Sequence, residues 1–175
     1  DRQIQDNIAI GRNALNSTSD NAQTGTIAIG YNALTALTSG ADNIGIGYEA
    51  GKSLTTGAGN TILGYQAGTD ADTATVNAEY NTYLGWNAGR YLDDGEHNVA
   101  VGAGAMKSAD SDGQNAVDNV AVGLNALTAI TTGDNNVAVG STAGDAITVG
   151  SENTVVGSKA FTQATGNITN CTAVG

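Results

Sequence analysis

The sequence predicts an all-β fold, a parallel β-solenoid of about ten stacked coils that forms a single repeat domain over residues 1–175. The unit Asn-Val-Ala-Val-Gly at residues 136–140 recurs along the chain in closely related forms. Its final glycines, called anchor glycines below, are separated by 19, 17, 17, 21, 17, 21, 17, 17 and 18 residues, and a near-constant period of this size is typical of solenoids. The ten anchor glycines are Gly11, Gly30, Gly47, Gly64, Gly85, Gly102, Gly123, Gly140, Gly157 and Gly175.

The composition favours a thin rod over a compact globule. With 25 glycines, no proline and 5% aromatic residues, the chain has few large side chains to fill a wide core. A narrow coil needs only a few small apolar side chains in each layer. The composition therefore fits a stack of thin layers.

Each anchor glycine is preceded by a short strand pattern, for which Val137, Ala138 and Val139 are an example. The outer two positions are aliphatic or β-branched and the middle one is small in most copies, an alternation that indicates a strand. Since successive side chains of a strand point to opposite faces, we expect the aliphatic pair to face the coil interior. The small residues would then face outward, where another chain packs closely. On this assignment Val122→Asp would bury an unpaired charge and break the stack locally.

The second half of each coil carries its own apolar pattern. Alanine stands three residues after the anchor in all nine copies that extend so far, which indicates room for one methyl group there. In the five 17-residue repeats a large aliphatic residue follows seven after the anchor and predicts a second strand, and glycine ten after the anchor predicts the turn back. The aliphatic residues are Leu37, Leu54, Leu92, Ile130 and Ile147.

Asparagine stands four residues before the anchor in all copies except two, where Thr26 and Cys171 replace it. Asparagine tolerates left-handed backbone, and stacked asparagine side chains can bond from layer to layer. The pattern predicts a structural asparagine ladder. Two longer copies place their extra residues at 69–81 and 107–119, which we expect to be loop inserts on one side of the rod.

The charge of the chain excludes some partners. Seventeen acidic and six basic residues give a net charge of −11, which argues against nucleic acid because phosphate binding needs a basic stripe. The single cysteine, Cys171, excludes an intrachain disulfide, and no apolar run is long enough for membrane insertion. The chain opens within a repeat and ends on an anchor glycine, so we interpret it as a fragment of a longer fibre.

The repeats resemble those of two families of surface fibre. Asn-Val-Ala-Val-Gly or Asn-Ile-Ala-Ile-Gly followed by alanine three residues on resembles the head repeats of YadA-like trimeric autotransporter adhesins. Gly-Tyr-Asn-Ala-Leu at 30–34 and Thr-Thr-Gly at 55–57 and 131–133 resemble repeats of bacteriophage tail fibres. The resemblance implies a left-handed parallel β-roll, a homotrimer about a common axis, and an extracellular place in a virion tail fibre or on a bacterial surface.

An aromatic row is the first candidate for ligand binding. Aromatic residues follow four successive anchors and would stack one coil apart as a strip with polar tips, a surface suited to sugars and proteins. The same row could instead cover a turn or pack against an adjacent chain. Its members are Tyr31, Tyr48, Tyr65 and Trp86.

The acidic second insert is the candidate for a metal. Asp110, Asp112 and Asp118 lie beside Gly113 and Asn115, and a flexible turn with several carboxylates suits calcium, although the pattern lacks the glycine position and terminal glutamate of an EF-hand. A solvated loop is the alternative. No nucleophile or second base accompanies the only histidine, so we expect no enzyme activity and no cofactor other than possible calcium.

We therefore expect a non-enzymatic structural and host-recognition segment of a trimeric fibre, a rigid shaft that presents loops for attachment. The alternative is a dedicated carbohydrate- or calcium-dependent adhesin module. An ice-binding solenoid is a remote alternative, because the threonine pairs at 55–56 and 131–132 are not repeated in every coil.

Overall fold

The computed structural model describes residues 6–17, 23–69, 77–91, 94–108, 114–162 and 168–175. It is a β-solenoid whose ten three-residue strands form one parallel sheet in strict chain order, as predicted. No helix occurs in these ranges. The strands are β1 (Ile8–Ile10), β2 (Ile27–Ile29), β3 (Ile44–Ile46), β4 (Thr61–Leu63), β5 (Thr82–Leu84), β6 (Val99–Val101), β7 (Val120–Val122), β8 (Val137–Val139), β9 (Thr154–Val156) and β10 (Thr172–Val174).

The repeats lie directly above one another. Ile46 pairs with Leu63 and Leu63 with Leu84, so equivalent residues form straight columns along the rod. Insertions in the longer copies do not shift this register. The anchor glycines also stack: a Cβ on Gly47 would collide with the carbonyl oxygen of Gly64, and its φ of 137° is one that only glycine adopts readily. The predicted stacking of the coils is therefore confirmed.

The prediction of which strand face points inward is wrong. Ala121 and Ala138, in the middle of their strands, are completely buried, whereas Val122 and Val139 are 37% and 39% exposed. The small residue faces the interior because the opposite side of the coil already fills the space there. A Cβ added at Gly45, for example, would meet the side chain of Leu34 at 2.6 Å. The aliphatic pair consequently lines the outside of the sheet.

Side-chain volume inside the coil is shared between two positions six residues apart. In the coil of Ala28 the middle strand residue is small and the fourth residue after the anchor, Leu34, is large. In the coil of Tyr83 the middle residue is large and the fourth residue is glycine, and a Cβ on Gly89 would run into the tyrosine ring. Ile62 and Gly68 repeat the second arrangement, and Ala100 with Met106 and Ala121 with Leu127 repeat the first.

The second half of each coil is a series of turns rather than the predicted strand. Leu54 and Ile147 form only isolated bridges. Left-handed residues interrupt the extended backbone, and even Leu34 and Leu127 adopt φ values of 47° and 48°. The aliphatic side chains of these turns nevertheless lie inside the coil: those of Leu37, Leu54, Ile130 and Ile147 are buried, and Leu92 lies outside the described residues.

The predicted asparagine ladder is present and buried. The Nδ2 of Asn136 donates to Oδ1 of Asn119 at 3.0 Å, and Asn153 repeats the contact to Asn136 at 2.9 Å. The same oxygen of Asn136 also accepts from the backbone N–H of Asn153 at 3.0 Å. A second donation, from Asn136 Nδ2 to the Gly150 carbonyl at 2.8 Å, ties the strand to the returning half of the coil. The side-chain amide of Asn136 thus links its coil to the neighbouring coils and also bonds the two halves of its own coil together.

Both inserts fall in the second half of their coils in sequence, and part of each is outside the described residues. Of the insert at 69–81 the structure describes Thr69 and 77–81, and of that at 107–119 it describes 107–108 and 114–119. A hydrogen bond of 2.6 Å from Ser108 Oγ to Gln114 Oε1 joins described residues of the second insert. The strands before and after each insert stay in register.

The ladder can be tested with two neighbouring asparagines. Asn136→Asp places a carboxylate against the oxygens of Asn119 and Gly150, so we expect the free energy of unfolding to fall by at least about 2 kcal/mol. Asn135→Asp makes the same chemical change at an exposed side chain and should have almost no effect. Urea denaturation of both variants measures the difference; equal losses would contradict the buried ladder.

The shared volume can be tested by exchange. Tyr83→Ala leaves a cavity and should cost about 3 kcal/mol of stability. Adding Gly89→Met should recover much of the loss, because the resulting alanine and methionine reproduce Ala100 and Met106 of the next coil, where Met106 has a φ of 49°. Gly89→Met alone should be destabilising. If the double variant is no more stable than Tyr83→Ala in denaturant titrations, the two positions do not share one space.

Candidate functional site

Three of the four predicted aromatic residues form a continuous stack, called the tyrosine row below: Tyr31, Tyr48 and Tyr65. Ring centroids are 5.2 Å apart between Tyr31 and Tyr48 and 5.0 Å apart between Tyr48 and Tyr65, with interplanar angles of 20° and 8°. The row exists because each tyrosine directly follows an anchor glycine, and the anchors are in register. Tyr48 and Tyr65 are 42% and 46% exposed.

The faces of these rings are largely occupied. Tyr48 lies between two tyrosines, and the guanidinium carbon of Arg12 sits 4.7 Å from the ring centroid of Tyr31. This cation–π contact extends the row by one coil. Trp86 occupies the next coil and is 54% exposed, but its ring does not stack on that of Tyr65. The row therefore offers ring edges and hydroxyl groups to a ligand.

A polar row of side chains runs beside the tyrosines, one residue further along each coil. It consists of Asn13, Asn32, Glu49 and Gln66. Asn13 Nδ2 donates to Asn32 Oδ1 at 3.0 Å, and Gln66 Nε2 donates to Glu49 Oε2 at 2.8 Å. The recurrence of polar residues two after the anchor is the sequence signal from which this row could be predicted.

Glu49 is the charged centre of the polar row. Its carboxylate is largely buried and pairs with Lys52 Nζ at 3.2 Å. Burial opposes ionisation, but hydrogen bonds from Gln66 and Lys52 outweigh it and lower the pKa of Glu49. Desolvation, followed by the nearby Glu49 charge, raises the pKa of the Tyr48 hydroxyl. At neutral pH the Tyr48 hydroxyl of the tyrosine row can therefore donate a hydrogen bond, and the adjacent Glu49 carboxylate of the polar row is already paired with Lys52.

The candidate calcium residues are not brought together in the described part of the chain. Asp110 and Asp112 lie outside the described residues. Asp118 is described, and its Oδ1 lies 3.6 Å from Nδ1 of His97, whose ring stacks on Tyr80 with a centroid distance of 5.5 Å. Among the described residues no three histidine, cysteine, aspartate or glutamate side chains converge on one point. The calcium site remains a prediction.

The largest candidate interaction surface is the outside of the sheet, called the aliphatic face below. Its outward positions are Ile, Val, Leu or Thr in every strand. Leu63 and Leu84 are both 41% exposed, and they lie next to one another in register. A continuous apolar strip of this length is unusual on a solvated surface. The prediction from sequence had placed these side chains inside.

Concave sites are missing from the portion of the chain that the structure describes. No pocket opens within those ranges. They likewise contain no helix with the length and apolar character needed to cross a bilayer. The candidate sites are therefore flat columns on the outside of the rod.

The acid stability of the chain should report on Glu49. Because its pKa is lowered in the folded state, its contribution to stability is present above the ordinary value of 4.5 and is lost as the pH falls through the lowered value. Thermal melting from neutral pH to about pH 3 should show a smaller acid-induced loss for Glu49→Gln than for the unchanged chain. Glu152→Gln, at an exposed side chain, is the control. Identical acid profiles for all three proteins would contradict the pairing.

Comparison of this chain with protein-family models, with curated proteins and with solved structures finds no match. The likeness to adhesin and tail-fibre repeats therefore stays a resemblance between short motifs. The features of the chain that bear on function are the aliphatic face, the tyrosine row and the polar row.

Proposed function

We propose that this chain is a non-enzymatic structural and attachment segment of a homotrimeric surface fibre, such as a phage tail fibre or a bacterial adhesin. The observation that carries the proposal is the aliphatic face, which extends from β1 to β10 without a charged side chain. A shaft needs a rigid axis, and an apolar strip along its whole length supplies the surface on which identical chains join.

A second copy of the chain fits this face better than an unrelated partner does. All outward side chains repeat at one strand spacing, so two copies lying parallel present the same pattern with the same period. Burial of the strip between copies stabilises the assembly by about 25 cal/mol per Å² of apolar surface. The net charge of −11 lies elsewhere on the chain and keeps the outer surfaces of the assembled rod in water.

The number of chains and the place of action rest on the resemblance. Its implication of three chains suits a sheet only three residues wide, because three narrow faces can meet around an axis and leave no apolar edge exposed. An extracellular fibre of a virion or bacterium agrees with the chemistry of the repeats, which are glycine, alanine, asparagine and aliphatic residues. We assign no catalytic group and no required cofactor.

Attachment belongs to the parts of the coil that vary. The tyrosine row is not part of the aliphatic face and would stay accessible in an assembled fibre, and we expect the same of the inserts at 69–81 and 107–119. A dedicated carbohydrate-binding adhesin is the second candidate, favoured by the exposure of Tyr48 and Tyr65. Its calcium-dependent form depends on Asp110 and Asp112.

The assembly is tested by two adjacent residues that point in opposite directions. Val122→Asp puts a charge on the aliphatic face, so we expect the trimer to dissociate or weaken at least tenfold while the coils stay folded. Ala121→Asp puts the same charge inside the coil and should unfold the neighbouring layers. Light scattering gives the mass, and circular dichroism gives the retained β-structure.

Two results would overturn the proposal. One is a well-folded monomer of the unchanged chain at micromolar concentration, because the aliphatic face would then be stable in water. The other is a Val122→Asp variant that keeps the mass of the assembly. Ala121→Asp serves as the control for loss of fold without direct contact between chains.

A further inference from the structure

We propose that the tyrosine row binds an uncharged, extended, β-1,4-linked chain of pyranose sugars that lies parallel to the solenoid axis, with one sugar for each coil. This inference rests on the proposed attachment function and names the ligand class of its candidate site. Tyrosine hydroxyls and the neighbouring polar row recognise the sugar, rather than the faces of the rings.

The spacing of the tyrosine row matches that of a linear glycan. Successive tyrosine rings are 5.2 and 5.0 Å apart, and an extended β-1,4-linked pyranose chain advances by nearly the same distance per sugar. A glycan parallel to the axis can therefore place one sugar beside each of Tyr31, Tyr48 and Tyr65, with alternate sugars turning opposite edges to the row. An extended peptide rises about 3.3 Å per residue, so neither its successive nor its alternate side chains match the row.

The stacking of the tyrosine rings on one another limits which parts of them a ligand can contact. Tyr48 has a tyrosine over each face, and Arg12 covers the outer face of Tyr31. A sugar cannot lie flat on a face that is already occupied. The exposed part of Tyr48, 42% of its surface, is then its ring edge and hydroxyl, which suit the donors and acceptors of a carbohydrate, and the hydroxyl of Tyr65 continues the row.

The charges around the tyrosine row favour an uncharged ligand. Glu49 is paired with Lys52 and Gln66, which leaves its carboxylate without spare charge for a cation. Asn32 and Gln66 add amide groups on the coils on either side of Glu49, two coil spacings apart. The net charge of −11 repels anionic polymers at long range. These features favour a neutral glycan over a polyanion such as a uronic acid polymer.

The experiment titrates the assembled protein with cello-oligosaccharides, from the disaccharide to the hexasaccharide, by isothermal calorimetry. We expect affinity to rise with each added sugar up to the tetrasaccharide, which spans Arg12 to Tyr65, and to change little beyond it. Malto-oligosaccharides have the same sugar and the same hydroxyl groups but curl through α-1,4 links, and they should bind more weakly at every length above the disaccharide.

Tyr48→Phe separates the two modes of recognition. This variant keeps the ring stack and removes one hydroxyl, so we expect a loss of about three- to tenfold in affinity for the tetrasaccharide. Tyr80→Phe removes a hydroxyl from a more exposed tyrosine in a different column and should bind as the unchanged protein does. If Tyr48→Phe binds normally while Tyr48→Ala does not, the ring rather than the hydroxyl is recognised and the proposed mode is wrong.

Light scattering on the same samples keeps this inference apart from the assembly. An intact trimer that binds no cello-oligosaccharide, or that binds all lengths and both linkages equally, overturns the glycan site and leaves the shaft in place. A monomer that binds with the expected length dependence overturns the shaft and leaves the glycan site in place. Loss of the trimer in Tyr48→Phe would instead assign the row to contact between chains and would also overturn the inference.

Discussion

The structure depends on hydrogen bonds between coils. A coil contains one strand of three residues and a run of turns, and its backbone groups pair mainly with the coil before or after it. This holds at the turns as well as in the sheet: the N–H of Asn32 donates to Arg12, that of Glu49 to Tyr31 and that of Gln66 to Tyr48. An isolated coil would leave these groups to water and would bury almost no apolar area. Stability is therefore a property of the stack.

The same constraint explains why unfavourable backbone angles are tolerated. Leu34, Met106 and Leu127 adopt left-handed φ values that cost about 1 kcal/mol or more for a residue with a Cβ. Each lies where the chain must turn within a layer whose height is fixed by the strand spacing. The N–H of Leu34 reaches Ala50 of the next coil, and that of Met106 reaches Ala126. Neighbouring layers hold these angles in place, and the leucine and methionine side chains fill the interior in return.

The sequence predicts the order and register of this fold well because both follow from period. Equal spacing of anchor glycines predicts that Ile46, Leu63 and Leu84 form a column, and the recurring asparagines predict a ladder. Which face points inward is not fixed by alternation, since period two is the same whichever face is buried. The signal that decides it is the complementary volume of Ala28 with Leu34 and of Tyr83 with Gly89, a relation across six residues. The tyrosine row could likewise be predicted from the position of each tyrosine after its anchor glycine. The stacking of its rings and the pairing of Glu49 depend on side-chain conformations, which the sequence alone does not specify.

The degree to which a position varies among the repeats distinguishes residues that build the coil from residues that could contact a ligand. The alanine three after each anchor and the buried asparagine barely vary, because a changed residue would disturb the coils above and below it. The position directly after the anchor varies widely, from Arg12 through tyrosines to Ser141 and Ser158, although its backbone is as regular as the rest. Steric demand cannot account for three successive tyrosines where serine is equally well accommodated. Their clustering over adjacent coils produces a surface with a fixed spacing near 5 Å, and such a spacing is useful to a partner that is itself a linear repeat. The solenoid thus places equivalent residues of a periodic sequence at a regular spacing along its axis. At the variable position after the anchor, residues can change to suit a ligand without destabilising the stacked coils.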